Sequence, residues 1–166
     1  MRLIELLPLL ELVSPPEVDL DVQSATSDSR RVVPGSLFFA FQGEHSDGHD
    51  FAEAAVNSGA VAVVGERPGI NSFGGVPYLR TLNCRRALGR VAHCLAGDPT
   101  RSMTVVGVTG TNGKTSSVVM TKRVFEQAGF RAACFGTLGF YLGEQHLPAA
   151  HTTPFAEELA ERFLDA

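Results

Sequence analysis

Between Thr104 and Met120 the chain reads TVVGVTGTNGKTSSVVM. A β-branched run stops at Gly110 and Gly113, Lys114 follows, then hydroxyl residues, then an apolar pattern at helical spacing. A strand that hands over to a helix through so short a glycine turn belongs to an α/β design. The upstream sequence repeats that alternation. SLFFAF (Ser36 to Phe41) and AVAVVG (Ala60 to Gly65) are continuous apolar runs that suit strands covered on both faces. HDFAEAAVNSG between them predicts a short helix closed by Gly59, and VPYLRTL (Val76 to Leu82) predicts a further strand. Asn83 then offers a cap for a helix whose Leu88, Val91, Ala92 and Leu95 share one face.

AGDPTRS (Ala96 to Ser102) combines glycine, proline and polar residues and divides the chain into a domain over 1–98 and a second over 99–166. In the second, MTVVGVT predicts a strand, Lys114 to Ala128 a helix ended by Gly129, and RAACFG another strand. TTPFAEELAERFLDA predicts a closing helix, with Thr153 as N-cap, Pro154 at the first helical position and acids in its early turns. One strand-loop-helix-strand unit plus one helix leaves exposed strands without neighbours, so 99–166 reads as the beginning of an incomplete domain. The expected class is therefore α/β: a small N-terminal α/β domain followed by the start of a P-loop parallel-sheet domain.

The balance of residues narrows the partners. With 44% hydrophobic residues, 19% charged residues and a net charge of -4, the chain has no general attraction for nucleic acid or an anionic membrane surface. Any bound anion must be held by local geometry. Cys84, Cys94 and Cys134 form an odd, widely spaced set without a CxxC pair, which fits free thiols in a reducing cytoplasm. MRLIELLPLLELV is apolar but interrupted by Glu5, Pro8 and Glu11. It is too short to span a bilayer and reads as a docking helix of a cytoplasmic protein.

The glycine turn has a specific chemistry available to it. Gly110 and Gly113 let successive N–H groups turn inward toward phosphate oxygens, and the helix that starts there adds the positive end of its dipole. Lys114 has the reach for β- and γ-phosphates, and the Thr115 hydroxyl suits Mg2+. The generic G-x-x-x-x-G-K-[ST] pattern would need glycine at 108, where this chain has Val108, with Gly107 one residue early. On spacing alone, a plain turn containing Gly-Lys remains open.

The wording of the loop goes further. GVTGTNGKTSS (Gly107 to Ser117) resembles the ATP loop of the Mur ligase family, T-G-[TS]-[NS]-G-K-[TS]. SDSRRVVPGSLFFAFQGEHSDGHDFAEAAVNSGAVAVVGE (Ser27 to Glu66) resembles that family's N-terminal signature: D-S-R, P-G, an apolar strand, D-G-H-x-F and G-A. Within the family, TGTNGKTS together with HTTP (His151 to Pro154) is most similar to the tripeptide-synthetase branch.

That resemblance implies ATP-dependent amide formation. A diamino acid would be joined to UDP-N-acetylmuramoyl-L-alanyl-D-glutamate in peptidoglycan precursor synthesis, by way of an acyl phosphate, with ATP and Mg2+. It implies uridine-nucleotide contacts at Ser27 and Ser29 and at Glu44, His45 and Ser46, and a muramoyl-peptide path along His151, Thr152 and Thr153. The family commonly has Asn or Leu where this chain has His151. The ATP cradle falls on Gly110, Thr111, Asn112, Gly113, Lys114, Thr115 and Ser116, with Lys114 catalytic and Thr115 the metal ligand. The family's further catalytic groups lie beyond the TTP segment, so no turnover is expected of these 166 residues alone.

Other readings stay open. The chain could be a non-catalytic UDP-sugar or nucleotide-binding module, another member of the family, or an unrelated P-loop NTPase. Asp28-Ser29-Arg30 could be an Asx-type turn, and Asp47-Gly48-His49 reads first as a structural turn and helix entry. His93 reads as a core or surface histidine, His146 has no evident partner, and Glu157, Glu158 and Glu161 read as a solvated face.

Overall fold

The computed structural model describes residues 1–14, 16, 18–43, 46–148 and 154–165. The chain divides into two compact units, Met1–Asp98 and Pro99–Ala166, and each is described by itself.

The first unit runs α1 (Leu3–Leu10), β1 (Ser24–Thr26), β2 (Ser36–Ala40), α2 (Ala52–Asn57), β3 (Ala60–Gly65), β4 (Ser72–Phe73), β5 (Val76–Arg80) and α3 (Cys84–Leu95). Its sheet has the order β1-β2-β3-β5-β4, and only β4 runs antiparallel to its neighbour. Every residue of β2 is buried, as its unbroken apolar sequence requires of a strand covered on both faces. Phe38, Ala40 and Val63 pack with Ala52 and Ala55 of α2, and Ile70 and Phe73 close that cluster. By strand alternation Leu37, Phe39, Ala62 and Val64 point the other way, where α3 covers β1 and β2 and α1 lies against α3. Phe38 and Phe39 are at most 1% exposed, and each contributes about 1.5–3 kcal/mol of burial.

Leu3, Leu6 and Leu10 of α1 are fully buried, so the N-terminal segment docks on the sheet's α3 side. Its ends are tied down. The Leu3 amide donates to Leu20 O at 2.8 Å, and the Thr81 hydroxyl donates to the Leu10 carbonyl. The Asn83 side chain caps α3 by accepting from the Arg86 amide at 2.9 Å, and Leu88, Val91 and Ala92 are buried on one face, with Leu95 half-buried. The hairpin strand β4 has no counterpart in the sequence reading, because two residues carry no periodicity.

The second unit contains α4 (Lys114–Gln127), the antiparallel sheet β6 (Ala133–Gly136), β7 (Gly139–Leu142) and β8 (Gln145–Leu147), and α5 (Ala156–Asp165). Phe135 stacks on Phe140 at 4.6 Å between ring centres and meets the edge of Phe163 at 5.7 Å, which fixes α5 against the hairpins. Three sequence expectations change here. Residues 104–108 form no strand and are exposed: a β-branched run needs a neighbouring backbone, and the described sheet of this unit is a meander of hairpins that does not include it. The closing helix starts at Ala156, two residues past Pro154, and Thr153 lies outside the described residues. Glu157 is not on a solvated face. It is 5% exposed, turned inward with Ala160, whereas Glu161 is exposed.

No described helix is long and apolar enough to cross a membrane.

Candidate functional site

The parallel strands of the first unit end together, and their carboxyl-end connections hold several predicted site residues. β1 leads into Ser27, Asp28 and Ser29, and β2 into the loop that contains Gly43 and Ser46. Open α/β sheets present ligands outside the carboxyl ends of their strands, because the loops there are free to vary on a rigid frame. Since β1 and β2 are hydrogen-bonded neighbours, the structure brings Ser27, Ser29 and Ser46 to adjacent strand ends. Glu44 and His45 lie outside the described residues, as do His151, Thr152 and Thr153.

Asp28 shapes the first loop. Its carboxylate accepts the Arg30 amide at 2.9 Å and the Arg30 guanidinium at 2.7 and 2.9 Å, closing the Asx-type turn that carries Ser29. The guanidinium hydrogen bond is the main reason that the Asp28 carboxyl is held below its ordinary range.

Asp47 and His49 shape the second. Asp47 Oδ1 accepts the His49 amide at 2.9 Å and lies 2.7 Å from His49 Nδ1, while its other oxygen pairs with Arg67. The carboxylate is held below its ordinary range, first by the His49 amide. His49 Nε2 lies 2.9 Å from the Tyr78 hydroxyl, which also accepts the Arg67 amide at 2.9 Å. A carboxylate only accepts, so Nδ1 carries the proton; in the neutral ring Nε2 is then the acceptor and Tyr78 donates to it. Asp47-Gly48-His49 is thus a structural turn and helix entry. It fastens the β2 loop to Tyr78 in the middle of β5 and to Arg67 just past β3. Tyr78 and Arg67 were missed by motif reading, because neither is adjacent in sequence to the residues it holds.

The glycine turn of the second unit is bent. Gly110 has φ of +151° and Gly113 +76°, and Gly113 stands as N-cap of α4. A side chain at 113 would be strained by that dihedral, although the space around its Cβ position is open. The first-turn amides of α4 have no intrahelical acceptors, the usual state of a helix N-terminus, and they follow directly on the bend. Lys114 curls over the turn: its ammonium donates to the Gly110 carbonyl and, at 3.2 Å, to that of Thr111. The Thr115 hydroxyl lies 2.9 Å from that of Thr137, in the β6–β7 turn. The residues present fit a phosphate group, since the bend, the open side and the cation coincide. They also fit one hydroxyl contribution to a hydrated Mg2+. Among the described residues no three His, Cys, Asp or Glu side chains gather to hold a metal.

The other singled-out histidines have local roles. His93 Nδ1 lies 3.0 Å from Asp98 Oδ1. His146 stacks on Tyr141 at 4.3 Å and reaches the Leu138 carbonyl at 2.8 Å. The three cysteines form no disulfide; Cys84 and Cys134 are buried, and burial pushes the Cys84 thiol up to about 12.

The fold is a mixed α/β protein with a parallel sheet of the kind found in Mur ligase structures. Residues 21–93 match the Mur ligase family, catalytic domain, and residues 108–166 match the Mur ligase middle domain; the chain belongs to the Mur ligase family. It is 41% identical over 167 residues to the UDP-N-acetylmuramyl-tripeptide synthetase of Deinococcus radiodurans, covering 97% of this chain and 34% of that protein. It is 43% identical over 144 residues to the UDP-N-acetylmuramoyl-L-alanyl-D-glutamate–2,6-diaminopimelate ligase of Geobacillus thermodenitrificans, covering 86% and 29%. A solved structure of a ligase of that second description superposes with a TM-score of 0.66 at 26% identity, over 87% of this chain and 29% of the other. The chain spans about a third of the length of the curated relatives it matches.

Proposed function

We propose that this chain carries the uridine-nucleotide and ATP-binding parts of a ligase that adds a diamino acid to UDP-N-acetylmuramoyl-L-alanyl-D-glutamate in peptidoglycan precursor synthesis. The observation that carries the reading is the glycine bend at Gly110 and Gly113 with Lys114 folded over it, in a chain similar along most of its length to synthetases of that type.

In this reading the first-turn amides of α4 and the Lys114 ammonium hold the phosphates of ATP; the lysine exchanges its two loop carbonyls for phosphate oxygens. Thr115 contributes its hydroxyl toward Mg2+, which supplies charge neutralisation between phosphates. Ser27, Ser29 and Ser46, with Glu44 and His45, meet the uridine nucleotide at the carboxyl ends of β1 and β2. His151, Thr152 and Thr153 line the peptide path. The substrate's carboxylate oxygen attacks the γ-phosphorus with ADP leaving, and the incoming amine then attacks the acyl carbon with phosphate leaving. The protein's part is positioning and charge neutralisation. The setting of that chemistry is the cytoplasm.

Binding is the property to measure in this chain, because it spans about a third of its relatives. Calorimetric titration with UDP-N-acetylmuramoyl-dipeptide should give heat with the wild-type chain and weaker binding with Ser29→Ala. Heat from ATP with none from the uridine ligand would overturn the substrate assignment in favour of a plain nucleotide-binding protein.

A further inference from the structure

Most arginines of the first unit are answered by a carboxylate: Arg2 by Asp19, Arg30 by Asp28, Arg67 by Asp47, and Arg86 and Arg90 by Glu11. Arg85 is held differently. Its guanidinium carbon lies 4.3 Å from the centre of the Phe41 ring, and one of its nitrogens donates to the Gln42 carbonyl at 3.3 Å. The described carboxylates that follow β1, β2 and β3 have partners of their own: Asp28 has Arg30, Asp47 has His49 and Arg67, and Glu66 accepts the Cys84 amide at 2.7 Å.

The position is set by the start of α3. Cys84 Sγ lies 3.8 Å from the Ala40 carbonyl and 3.5 Å from that of Val64, so the helix begins over the ends of β2 and β3. Arg85 is the next residue. It stands at the carboxyl end of β2, at the root of the loop containing Gly43 and Ser46, with β1 and its Ser27–Ser29 turn as the neighbouring strand. The aromatic ring supports one face of the guanidinium and the Gln42 carbonyl fixes one edge. A guanidinium has five N–H donors in a planar fork; oriented in this way, it is pre-organised for a second acceptor carrying paired oxygens.

We propose that Arg85 is a further substrate-contacting residue of this edge, which binds the diphosphate of a nucleoside diphosphate with Phe41 as its platform. The inference rests on the uridine-nucleotide reading above and adds a specific donor to it. Phosphate oxygens match the guanidinium in charge and in two-point geometry, whereas a nucleoside alone offers neither.

The test compares UDP with uridine on the 166-residue chain by calorimetry, for wild type, Arg85→Gln and Phe41→Leu, with thermal melting as the folding control. Arg85→Gln should weaken UDP by roughly tenfold or more while leaving uridine unchanged, since the lost bond is to a charged group. It should also flatten the salt dependence of UDP binding. Phe41→Leu should weaken UDP less, again without touching uridine. Equal loss for UDP and uridine in Arg85→Gln would show that the arginine only pins the loop, and would overturn the proposal. So would UDP binding as tight as in wild type. A wild-type chain that binds neither UDP nor UDP-N-acetylmuramoyl-dipeptide would overturn the uridine-nucleotide reading itself, and this inference with it.

Discussion

The Tyr78 hydroxyl stands 2.9 Å from His49 Nε2 and 2.9 Å from the Arg67 amide nitrogen, so one oxygen from the middle of β5 joins the β2–α2 connection to the turn that follows β3. His49 is 8% exposed and Tyr78 7%, which makes the pair a buried polar contact with little access to water. Tyr78→Phe keeps the ring and removes the bridge, leaving a histidine nitrogen and a backbone amide without their partner. It should destabilise the first unit by about 1–3 kcal/mol. Urea unfolding with an unchanged m-value checks this, and a loss below a few tenths would refute it.

Gly65 is small because of the same contact. A Cβ there would lie 2.3 Å from the Tyr78 hydroxyl, 2.7 Å from His49 Nε2 and 2.9 Å from the Ala40 carbonyl. The last of these is backbone and does not yield. Gly65→Ala should therefore cost about 1–3 kcal/mol of stability, against the small gain usual for alanine in a strand. Combined with Tyr78→Phe, which clears part of the clash, the loss should fall short of the sum of the two singles, as a double-mutant cycle would read directly.

Much of this frame was legible beforehand. SLFFAF, AVAVVG and VPYLRTL announced the three central strands, and Asn83 announced the start of α3, because continuous apolar runs and side-chain caps act locally. The strand expected from MTVVGVT (103–109) did not form, because a parallel strand is made by its neighbours and not by its own residues. RAACFG announced β6, but its continuation into β7 and β8 was missed: GTLG and LGEQ are turn signals, but the segments after them are too short to show a period. In the candidate site, Ser29, Ser46 and the glycine bend were readable from motifs. Tyr78, Arg67 and Arg85 were not, since what matters about each is a contact made across the sheet.

Asp47 sets an acid limit. Its folded carboxyl is held below the ordinary 3.8, mainly by the His49 amide. The stabilising charge is therefore fully present above that value, and it is lost as pH falls through the lower folded range, where the unfolded chain takes up the proton first. Asp28 acts in the same direction through Arg30. Melting of Asp47→Asn should lie well below wild type at neutral pH, and the gap should close as pH falls below about 4. A gap that stays constant would assign the loss to packing instead.

Lys114 separates binding from folding. It is exposed, and its partners are two carbonyls of its own loop. Lys114→Ala should lower ATP affinity by roughly tenfold to a hundredfold, the worth of a hydrogen bond to a charged group, while leaving the melting curve in place. Unchanged ATP binding would remove the lysine from the cradle.

Cys84 should be chemically silent. With its thiol pushed up to about 12 by burial, it carries almost no thiolate near pH 8, and a maleimide should leave it unlabelled until the first unit is unfolded. Rapid labelling of Cys84 in the native chain, located by mass spectrometry, would contradict the packing of α3 on the sheet.

The two halves of the chain differ in how much oil they hide. On α4 Met120, Val124 and Phe125 are 69%, 68% and 43% exposed, and Val105 and Val106 of the same unit are 53% and 62% exposed, while β2 has no exposed residue at all. Amide protons should accordingly trade with deuterium sooner along the helix that follows the glycine bend than in SLFFA, a graded clock built into a single polypeptide.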